Sequence, residues 1–277
     1  MLDQNKTFYE GAGRSGISEL PEFYSSTRLY KAEEQILSSL RNEIKNESVL
    51  EIGVGGGRAT FHLLPLCGTY IGIDYSERMV KTCRERFANA TFEMCDARDL
   101  SMFDDGQFDA VFSFWNSLGD VDNEGRMQAL KEVGRVLKAD GLFVFSAHNL
   151  DWWDAGSLAS RSGFWFSSDA IPISKNPFAF LRDNILCARV YAAGLLTRIQ
   201  DKIHKQGYSL ILEHGEVPGF VLPTYYIREA AQIQQLFNAG FHEVEAMPIS
   251  GRPTEDETRV NNYSVYYIAR KRVSNDE

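Results

Sequence analysis

The sequence lacks the residue spacings by which proteins commonly bind metals or form disulfide frameworks. Its 277 residues include four cysteines and five histidines, but no CxxC pair, no HxH and no HExxH pattern. Cysteines that are few and unpaired in this way are typical of a chain that stays reduced. We therefore expect a metal-free protein of a reducing compartment, the cytoplasm.

Long apolar runs and an excess of positive charge are also missing. No apolar segment approaches the ~18–20 residues that span a bilayer, and the first residues do not follow the charged-then-apolar order of a signal peptide. Lys and Arg number 29 against 38 Asp and Glu, for a net charge of −9. Broad, sequence-independent binding of nucleic acid needs basic patches. We therefore expect neither a membrane nor a nucleic acid as the main partner.

What the sequence does contain is a regular alternation of predicted strands and helices. Apolar residues make up 44% of the chain, which is enough for a sizeable core. The alternation predicts βαβ units and a parallel sheet, and apolar runs without polar interruption indicate a sheet covered on both faces. The predicted strands lie at 48–53, 69–74, 91–95, 108–114 and 142–147.

The alternation breaks at residue 148. The segment that follows is rich in Trp and Phe, and the predicted helix and strands of the core return near residue 228. We therefore predict a core made of residues 1–147, which include an N-terminal arm, and residues 228–277. Residues 148–227 are interpreted as an inserted lid that binds the substrate, although two further strands are predicted within them.

The most informative segment is a glycine-rich loop between the first strand and the helix after it. Gly53, Gly55 and Gly57 follow a GxGxG spacing, and without Cβ atoms they allow a ligand to approach the backbone closely. Arg58 occupies the position of the last glycine in the dinucleotide-binding pattern and is expected to be a solvated helix residue. Glu51, just before the loop, would repel a pyrophosphate but attract an ammonium or a sulfonium.

A second acidic residue, Asp74, ends the second strand in Ile71-Gly72-Ile73-Asp74. A carboxylate at this point can accept hydrogen bonds from both hydroxyls of a ribose, and dehydrogenases place one similarly. A nicotinamide oxidoreductase is therefore a rival interpretation. Glu51 and the GxGxG spacing favour a cationic ligand over a dinucleotide.

With these motifs in order, the chain resembles class I S-adenosylmethionine (SAM)-dependent methyltransferases, strongly over residues 46–147 and weakly over 228–270. The resemblance implies a Rossmann-like α/β fold: a seven-stranded, mostly parallel sheet with its last strand antiparallel. It also implies SAM as cofactor, with contacts from the glycine loop and from the ends of strands two, three and four. The implied cofactor-binding residues are Glu51, Gly53, Gly55, Gly57, Asp74, Tyr75, Met79, Asp96, Ala97, Phe114, Trp115 and Asn116.

The end of the fourth strand, 114–119, resembles small-molecule N- and O-methyltransferases. It lacks the Asp/Asn-Pro-Pro-aromatic signature of enzymes that methylate adenine or glutamine amino groups, and no cysteine follows a proline as in cytosine-C5 enzymes. An aromatic lid would exclude water and attract cations during direct SN2 transfer. The candidate substrate-binding residues are Trp152, Trp153 and Trp165 of the lid and Tyr9 and Tyr24 of the arm.

His148 is the candidate general base, because it follows the fifth strand at the carboxyl edge of the sheet. A hydroxyl acceptor usually needs such a base, whereas an amine needs only its neutral form. Two other hypotheses stay open at this point. The chain could methylate a protein or an RNA, or it could bind SAM without turnover.

Overall fold

The computed structural model describes most of the predicted core and parts of the predicted lid. Two of the candidate substrate-binding residues, Tyr24 and Trp165, lie outside the described residues. The described residues are 9–10, 25–155, 207–214, 221–252 and 262–273, with single positions at 189, 192, 195, 196 and 199.

Strands form at or near the predicted positions, and β5 is longer than expected. The strands are β1 (Ser48–Ile52), β2 (Thr69–Asp74), β3 (Thr91–Met94), β4 (Phe108–Ser113), β5 (Leu137–Asn149), β6 (Tyr208–His214), β7 (Val221–Ile227), β8 (Phe241–Pro248) and β9 (Ser264–Lys271). The helices with described bounds are α1 (Lys31–Leu40), α2 (Thr60–Leu63), α3 (Glu77–Arg86), α4 (Asn123–Val136), α5 (Leu150–Ala155) and α6 (Glu229–Asn238), and a 3-10 turn covers Ser117–Gly119.

Seven of the strands form the sheet that the resemblance implied. Their order is β3-β2-β1-β4-β5-β9-β8, with β1 to β5 parallel to one another. The last strand in the chain, β9, is antiparallel to both of its neighbours, β5 and β8. The prediction of a mostly parallel Rossmann-like sheet with an antiparallel last strand is therefore confirmed.

Strands β6 and β7 form an antiparallel hairpin that stands above the end of β4. Among the described residues, strand pairing joins the hairpin to the sheet at two places, where His148 pairs with Tyr226 and Asn149 with Ile227. On the opposite edge of β5, His148 pairs with Ser264 of β9. β7 therefore lies on the same edge of β5 as β4, beyond the carboxyl end of β4. Both strands lie inside the segment predicted as a lid, and the division into core and lid stays a prediction.

Apolar side chains cover both faces of the sheet, which explains why its strands show no polar alternation. Successive residues of a strand point to opposite faces. Val111 and Phe143 accordingly belong to the cluster that contains Leu130 of α4. Phe112, next to Val111 in the chain, belongs to the cluster that contains Ile36 of α1. The two core clusters cover the faces of the sheet, so a site can form at the carboxyl ends of its strands.

Candidate active site

The glycine loop has the conformation that its sequence requires. Gly53, Gly55 and Gly57 all have positive φ angles, of 74°, 51° and 84°, a region that favours glycine. A Cβ on Gly53 would lie 2.4 Å from Ser117 Oγ, and one on Gly57 would lie 2.4 Å from the ring of Phe87. Gly53 therefore lets the loop meet the end of β4, whereas Gly57 lets it pack against the end of α3.

A cleft opens at the carboxyl ends of the central strands, with about 1040 Å³ of empty space that is partly open to solvent. It brings together eleven residues predicted from the sequence: Tyr9, Glu51, Gly53, Gly55, Asp74, Tyr75, Met79, Phe114, Trp115, Asn116 and His148. The other lining residues were not named as site residues from the sequence, although Val54 and Ser117 lie within motifs that were: they are Val54, Arg58, Ala59, Ser117, Asp120, Leu222 and Thr224.

A smaller cleft of about 420 Å³ adjoins the first and contains two more predicted residues, Asp96 and Ala97. Gly57, the last glycine of the predicted loop, lines neither cleft. The two clefts share Asp74 and Tyr75 among their lining residues. The carboxylate of Asp96 accepts hydrogen bonds from the Arg98 guanidinium, with Oδ2 at 2.7 Å from one terminal nitrogen. Asp96 is thus held in place at the end of β3 by a residue of its own loop.

Glu51 is a buried carboxyl group beneath the glycine loop. It accepts hydrogen bonds from the hydroxyls of Thr60, at 2.8 Å, and Tyr70, at 2.5 Å. Burial raises the pKa of Glu51 to about 7, because removal from water disfavours the charged form. A cation in the cleft would stabilise the carboxylate and lower this pKa.

Asp74 is the second buried carboxyl group of the cleft. Its two oxygens accept hydrogen bonds from the backbone N–H groups of Gly55 and Ser76, each at 2.9 Å. Burial nevertheless raises the pKa of Asp74 to about 6. The bond to Gly55 ties the end of β2 to the glycine loop, so the two motifs predicted separately form one site.

Asp120 supplies a third carboxylate, which the sequence interpretation missed. Its Oδ2 accepts a hydrogen bond from the Tyr75 hydroxyl at 2.9 Å. The ring of Tyr9 meets Tyr75 edge-on, with centroids 5.8 Å apart. The neighbouring carboxylate, Glu10, accepts a hydrogen bond from the backbone of Glu77 at the start of α3, at 2.8 Å. The only signal for Asp120 in the sequence is its place in the loop after β4.

Arg58 is buried in the wall of the cleft, so the expectation of a solvated helix residue was wrong. Its guanidinium makes two hydrogen bonds of 2.6 Å to the carboxylate of Glu33 in α1. The guanidinium carbon also lies 4.7 Å from the centre of the Trp115 ring. A buried ion pair of this kind depends on both partners, and Glu33 stands 25 residues before Arg58 in the chain. Among the described residues that line the cleft, Arg58 is the one Lys or Arg.

The end of β4 has an unusual backbone. Trp115 and Asn116 both have positive φ angles, of 55° and 57°, which are uncommon outside glycine and strained for a bulky residue. The backbone N–H of Asn116 donates a hydrogen bond to Ser146 Oγ of β5, and its side-chain Oδ1 accepts one from Ser264 Oγ of β9, each at 2.7 Å. Two neighbouring strands therefore hold this strained turn in place.

His148 lies half-buried at the end of β5, where it lines the cleft. Its Nδ1 is 3.4 Å from Asn116 Nδ2, and its ring packs on Tyr226 with centroids 4.9 Å apart. Burial, aided by the charge of Arg126, lowers the pKa of His148 to about 3. The imidazole is therefore neutral at physiological pH.

The two described tryptophans of the predicted lid lie outside the cleft lining. Trp153 is buried in a small cluster with Leu150, Ile211 and Tyr226, and Trp152 packs against that cluster. Their predicted contact with a substrate stays a prediction. No helix among the described residues has both the length and the apolar content to cross a membrane, and no cluster of potential metal ligands occurs in the same part of the chain.

Comparison with known proteins decides the family. Residues 49–141 match the family model of a methyltransferase domain. These residues form a class I, SAM-dependent methyltransferase domain. The matched stretch contains the glycine loop, Asp74, Asp96 and the end of β4, so the methyltransferase domain provides most of the cleft.

Curated relatives of this chain include one that is uncharacterized and two that are named for small-molecule acceptors. An uncharacterized protein of Methanocaldococcus jannaschii is 30% identical over 52% of this chain and 52% of its own. Phosphoethanolamine N-methyltransferase 1 of Arabidopsis thaliana is 30% identical over 42% and 24%. The dTDP-3-amino-3,6-dideoxy-alpha-D-glucopyranose N,N-dimethyltransferase of Streptomyces fradiae is 28% identical over 41% and 42%. The chain thus spans about half the length of these relatives or less.

Solved structures share the fold over most of the chain. A SAM-dependent methyltransferase from Methanosarcina mazei superposes with a TM-score of 0.54 at 19% identity, covering 85% of this chain and 98% of that one. The 1,6-didemethyltoxoflavin-N1-methyltransferase of Burkholderia thailandensis, bound to its substrate and S-adenosylhomocysteine (SAH), gives 0.54 at 14% identity, covering 98% and 86%. At these identities the likeness concerns the fold.

Proposed function

We propose that this chain transfers a methyl group from SAM to a nitrogen or oxygen atom of a small molecule, by direct displacement. The observation that carries the proposal is the cleft where the glycine loop, Asp74 and the strained end of β4 meet. When bound, SAM supplies a methyl group on a cationic sulfur; an acceptor lone pair takes the methyl group and the sulfur keeps the bonding electrons. The chain's own residues bind, align and exclude water.

The charges in the cleft fit this cofactor. Glu51, Asp74 and Asp120 supply three carboxylates and Arg58 one cation, so the cleft favours a ligand with net positive charge. SAM carries a sulfonium, an ammonium and one carboxylate. The raised pKa values of Glu51 and Asp74 would fall when such a ligand binds. We assign the SAM carboxylate to the neighbourhood of Arg58.

The other predicted cofactor contacts follow from position. Asp74, at the junction of the two clefts, is assigned to the ribose hydroxyls. Tyr75 and Met79 are assigned to adenine packing, and Asp96 with Ala97 to the adenine amino edge in the smaller cleft. The turn at Phe114, Trp115 and Asn116 is assigned to the methionine part, next to Glu51, Gly53 and Gly55.

The acceptor is assigned to the part of the cleft beneath the hairpin. Trp115, His148, Leu222 and Thr224 line it, and β7 provides the last two from within the predicted lid. A partly enclosed pocket with one aromatic wall suits a small molecule. The relatives named for phosphoethanolamine and for an amino sugar methylate nitrogen in small molecules by their names, which supports a nitrogen acceptor. The cytoplasm remains our proposed location.

A nitrogen acceptor also suits the neutral His148. An imidazole whose pKa is lowered to about 3 is a weak base, because the ideal pKa of a general base lies near the working pH. A neutral amine or ring nitrogen can attack without prior loss of a proton and can release it to solvent afterwards. The role of His148 as a base for a hydroxyl acceptor stays a prediction that this pKa disfavours.

Calorimetry of SAM binding tests the cofactor site. The Asp74→Asn variant is expected to bind SAM about ten- to hundredfold more weakly than the wild type, because charge-assisted hydrogen bonds contribute roughly 1.5–3 kcal/mol. The matched control is Asp104→Asn, at an exposed position outside the cleft, which should bind normally. Unchanged binding by Asp74→Asn would overturn the assigned site.

A transfer assay tests the acceptor class. Wild-type protein, methyl-labelled SAM and a cell extract are incubated and then separated by a small-pore filter. Label in a new compound in the filtrate supports a small-molecule acceptor. Label retained above the filter would show a protein or RNA acceptor, and the absence of transfer by protein that binds SAM would show a binding module.

A further inference from the structure

The two ring nitrogens of His148 have different surroundings. Nδ1 faces Asn116 Nδ2 at 3.4 Å. Nε2 makes no hydrogen bond to the described residues. It is also not buried, because buried side-chain atoms without a partner do not include it. Nε2 is therefore accessible from the cleft that His148 lines. Gly119 leaves room at this edge of the ring, since a Cβ there would lie 3.2 Å from Cδ2 of His148.

The orientation of the Asn116 amide follows from the distance to Ser264. The 2.7 Å separation between Ser264 Oγ and the Asn116 side chain is typical of an O–H···O bond, whereas N–H···O bonds are usually longer. The oxygen of the amide therefore faces Ser264, and its NH2 group faces His148. An amide nitrogen can only donate, so Nδ1 of His148 must accept.

The backbone keeps this arrangement fixed. His148 is paired in the sheet with Ser264 on one side and Tyr226 on the other. The backbone of Asn116 is bound to Ser146, two residues before His148 on β5. Since alternate residues share a face of a strand, Ser146 and His148 present their side chains to the same turn. None of these contacts requires a bound ligand.

We propose that Ser264 and Asn116 are positioning residues that fix His148 as the tautomer with its proton on Nε2, and that this N–H donates a hydrogen bond to an oxygen of the acceptor molecule. A neutral imidazole that accepts at Nδ1 carries its proton on Nε2. The acceptor is then a nitrogen nucleophile with a carbonyl, carboxylate or phosphate oxygen near the atom to be methylated. This inference rests on the proposed function and adds the oxygen to it.

Nitrogen-15 NMR of histidine-labelled protein tests the tautomer directly. The His148 signals are identified by their loss in His148→Gln, and the wild type is expected to show an Nε2–H tautomer. Ser264→Ala should shift it toward the Nδ1–H form, because the freed Asn116 amide can turn its oxygen to the ring. Ser264→Thr, which keeps the hydroxyl, should restore the wild-type pattern.

The matched control is Ser113→Ala, which removes another buried serine hydroxyl, one without a hydrogen-bond partner among the described residues. It should leave the His148 signals unchanged, and unchanged His242 signals check that each variant is folded. A wild type protonated at Nδ1, or a Ser264→Ala variant identical to the wild type, would overturn the tautomer assignment.

A second comparison tests donation to the acceptor, with the small-molecule fraction of a cell extract and labelled SAM as probe. His148→Gln places an amide donor near the position of Nε2 and is expected to keep most of the transfer. His148→Glu, of similar shape but unable to donate when ionised, should lose about tenfold to a hundredfold. Equal losses in both variants would overturn the donor role. A wild type that does not bind SAM would instead refute the proposed function and leave the tautomer result standing.

Discussion

Two buried carboxyl groups of the cleft lower the stability of the protein without cofactor at neutral and alkaline pH. Glu51 and Asp74 are buried carboxyl groups whose pKa values lie above their ordinary values. A raised carboxyl pKa means that the folded state binds the proton more tightly than the unfolded state does. The stability that these groups contribute is therefore full below an ordinary carboxyl pKa and is lost as the pH rises through the folded value.

This linkage predicts that Glu51→Gln stabilises the protein without cofactor at alkaline pH. For Glu51 the folded pKa is about 7 against an ordinary 4.5. The variant should gain up to about 3 kcal/mol in free energy of unfolding near pH 8, and this gain should fade toward pH 4.5. Urea denaturation at several pH values measures it.

The same substitution should weaken SAM binding, because it removes a carboxylate that we propose attracts the cationic cofactor. The control for stability is Glu93→Gln, at a half-exposed position on the surface of β3, which should show no comparable gain. A stability difference between Glu51→Gln and the wild type that does not change with pH would contradict the assigned burial.

Among single residues, the sequence predicts those whose positions are set by a local pattern of neighbouring residues. Glu51, Gly53, Gly55 and Asp74 were predicted at the site and line the cleft, because their placement at the ends of strands follows from neighbours in the chain. Arg58 was misjudged because its counter-charge is on another helix, and the partner of Asn116, Ser264, lies 148 residues away. Such pairings depend on tertiary structure, which periodicity does not encode.

Among the elements, α1 is joined to the cleft through one buried carboxylate. Glu33 accepts two hydrogen bonds from Arg58 of the glycine loop, and one from the Tyr266 hydroxyl of β9 at 2.7 Å. A backbone N–H at the start of α1, that of Tyr30, donates to the same carboxylate at 2.8 Å. Three elements far apart in sequence therefore depend on Glu33 for their relative positions.

Glu33→Gln is accordingly expected to destabilise the fold by about 3–5 kcal/mol, because it leaves the Arg58 charge buried without a counter-charge. The double variant Glu33→Gln with Arg58→Met should recover much of that loss, since no charge then remains to be compensated. Chemical denaturation of the four proteins in this double-mutant cycle measures the coupling. Glu34→Gln, exposed on the same helix, is the control, and an equal loss in that variant would contradict the argument.

The strands were more predictable than their arrangement. Continuous apolar runs mark buried parallel strands, so β1 to β4 appear near their predicted bounds. Both strands of the hairpin were also predicted, but not that β7 pairs with β5 above β4. Pairing between distant segments is set by packing and register, and a single sequence shows neither.

At the scale of the whole molecule, the negative charge of the protein favours binding of the cofactor SAM over its product SAH. The chain has a net charge of −9, and Glu51, Asp74 and Asp120 line the cleft. SAM carries one net positive charge, whereas SAH, which remains after methyl transfer, is a zwitterion with no net charge. The field of the protein therefore attracts the substrate form more than the product form.

Added salt should weaken the binding of SAM more than the binding of SAH, since salt screens charge interactions. We expect the SAM dissociation constant to rise roughly two- to fivefold between low and high ionic strength, with a smaller change for SAH. Calorimetry of both ligands at several NaCl concentrations measures the slopes, and SAH serves as the matched control. Parallel slopes would show that the cleft does not distinguish the two by charge.

The short strand pairing between the β6–β7 hairpin and β5 has a consequence for evolution and engineering. The hairpin joins β5 through two residue pairs, whereas β4 and β9 run along most of that strand. A hairpin of different sequence that keeps Tyr225 and Ile227, which belong to the core of the sheet, could therefore replace this one while the cofactor-binding half stays intact. Descendants of one ancestor could diversify in what they modify by exchanging a single module. A chimaera that grafts a foreign hairpin between 207 and 228 should keep its affinity for SAM and acquire a new acceptor range.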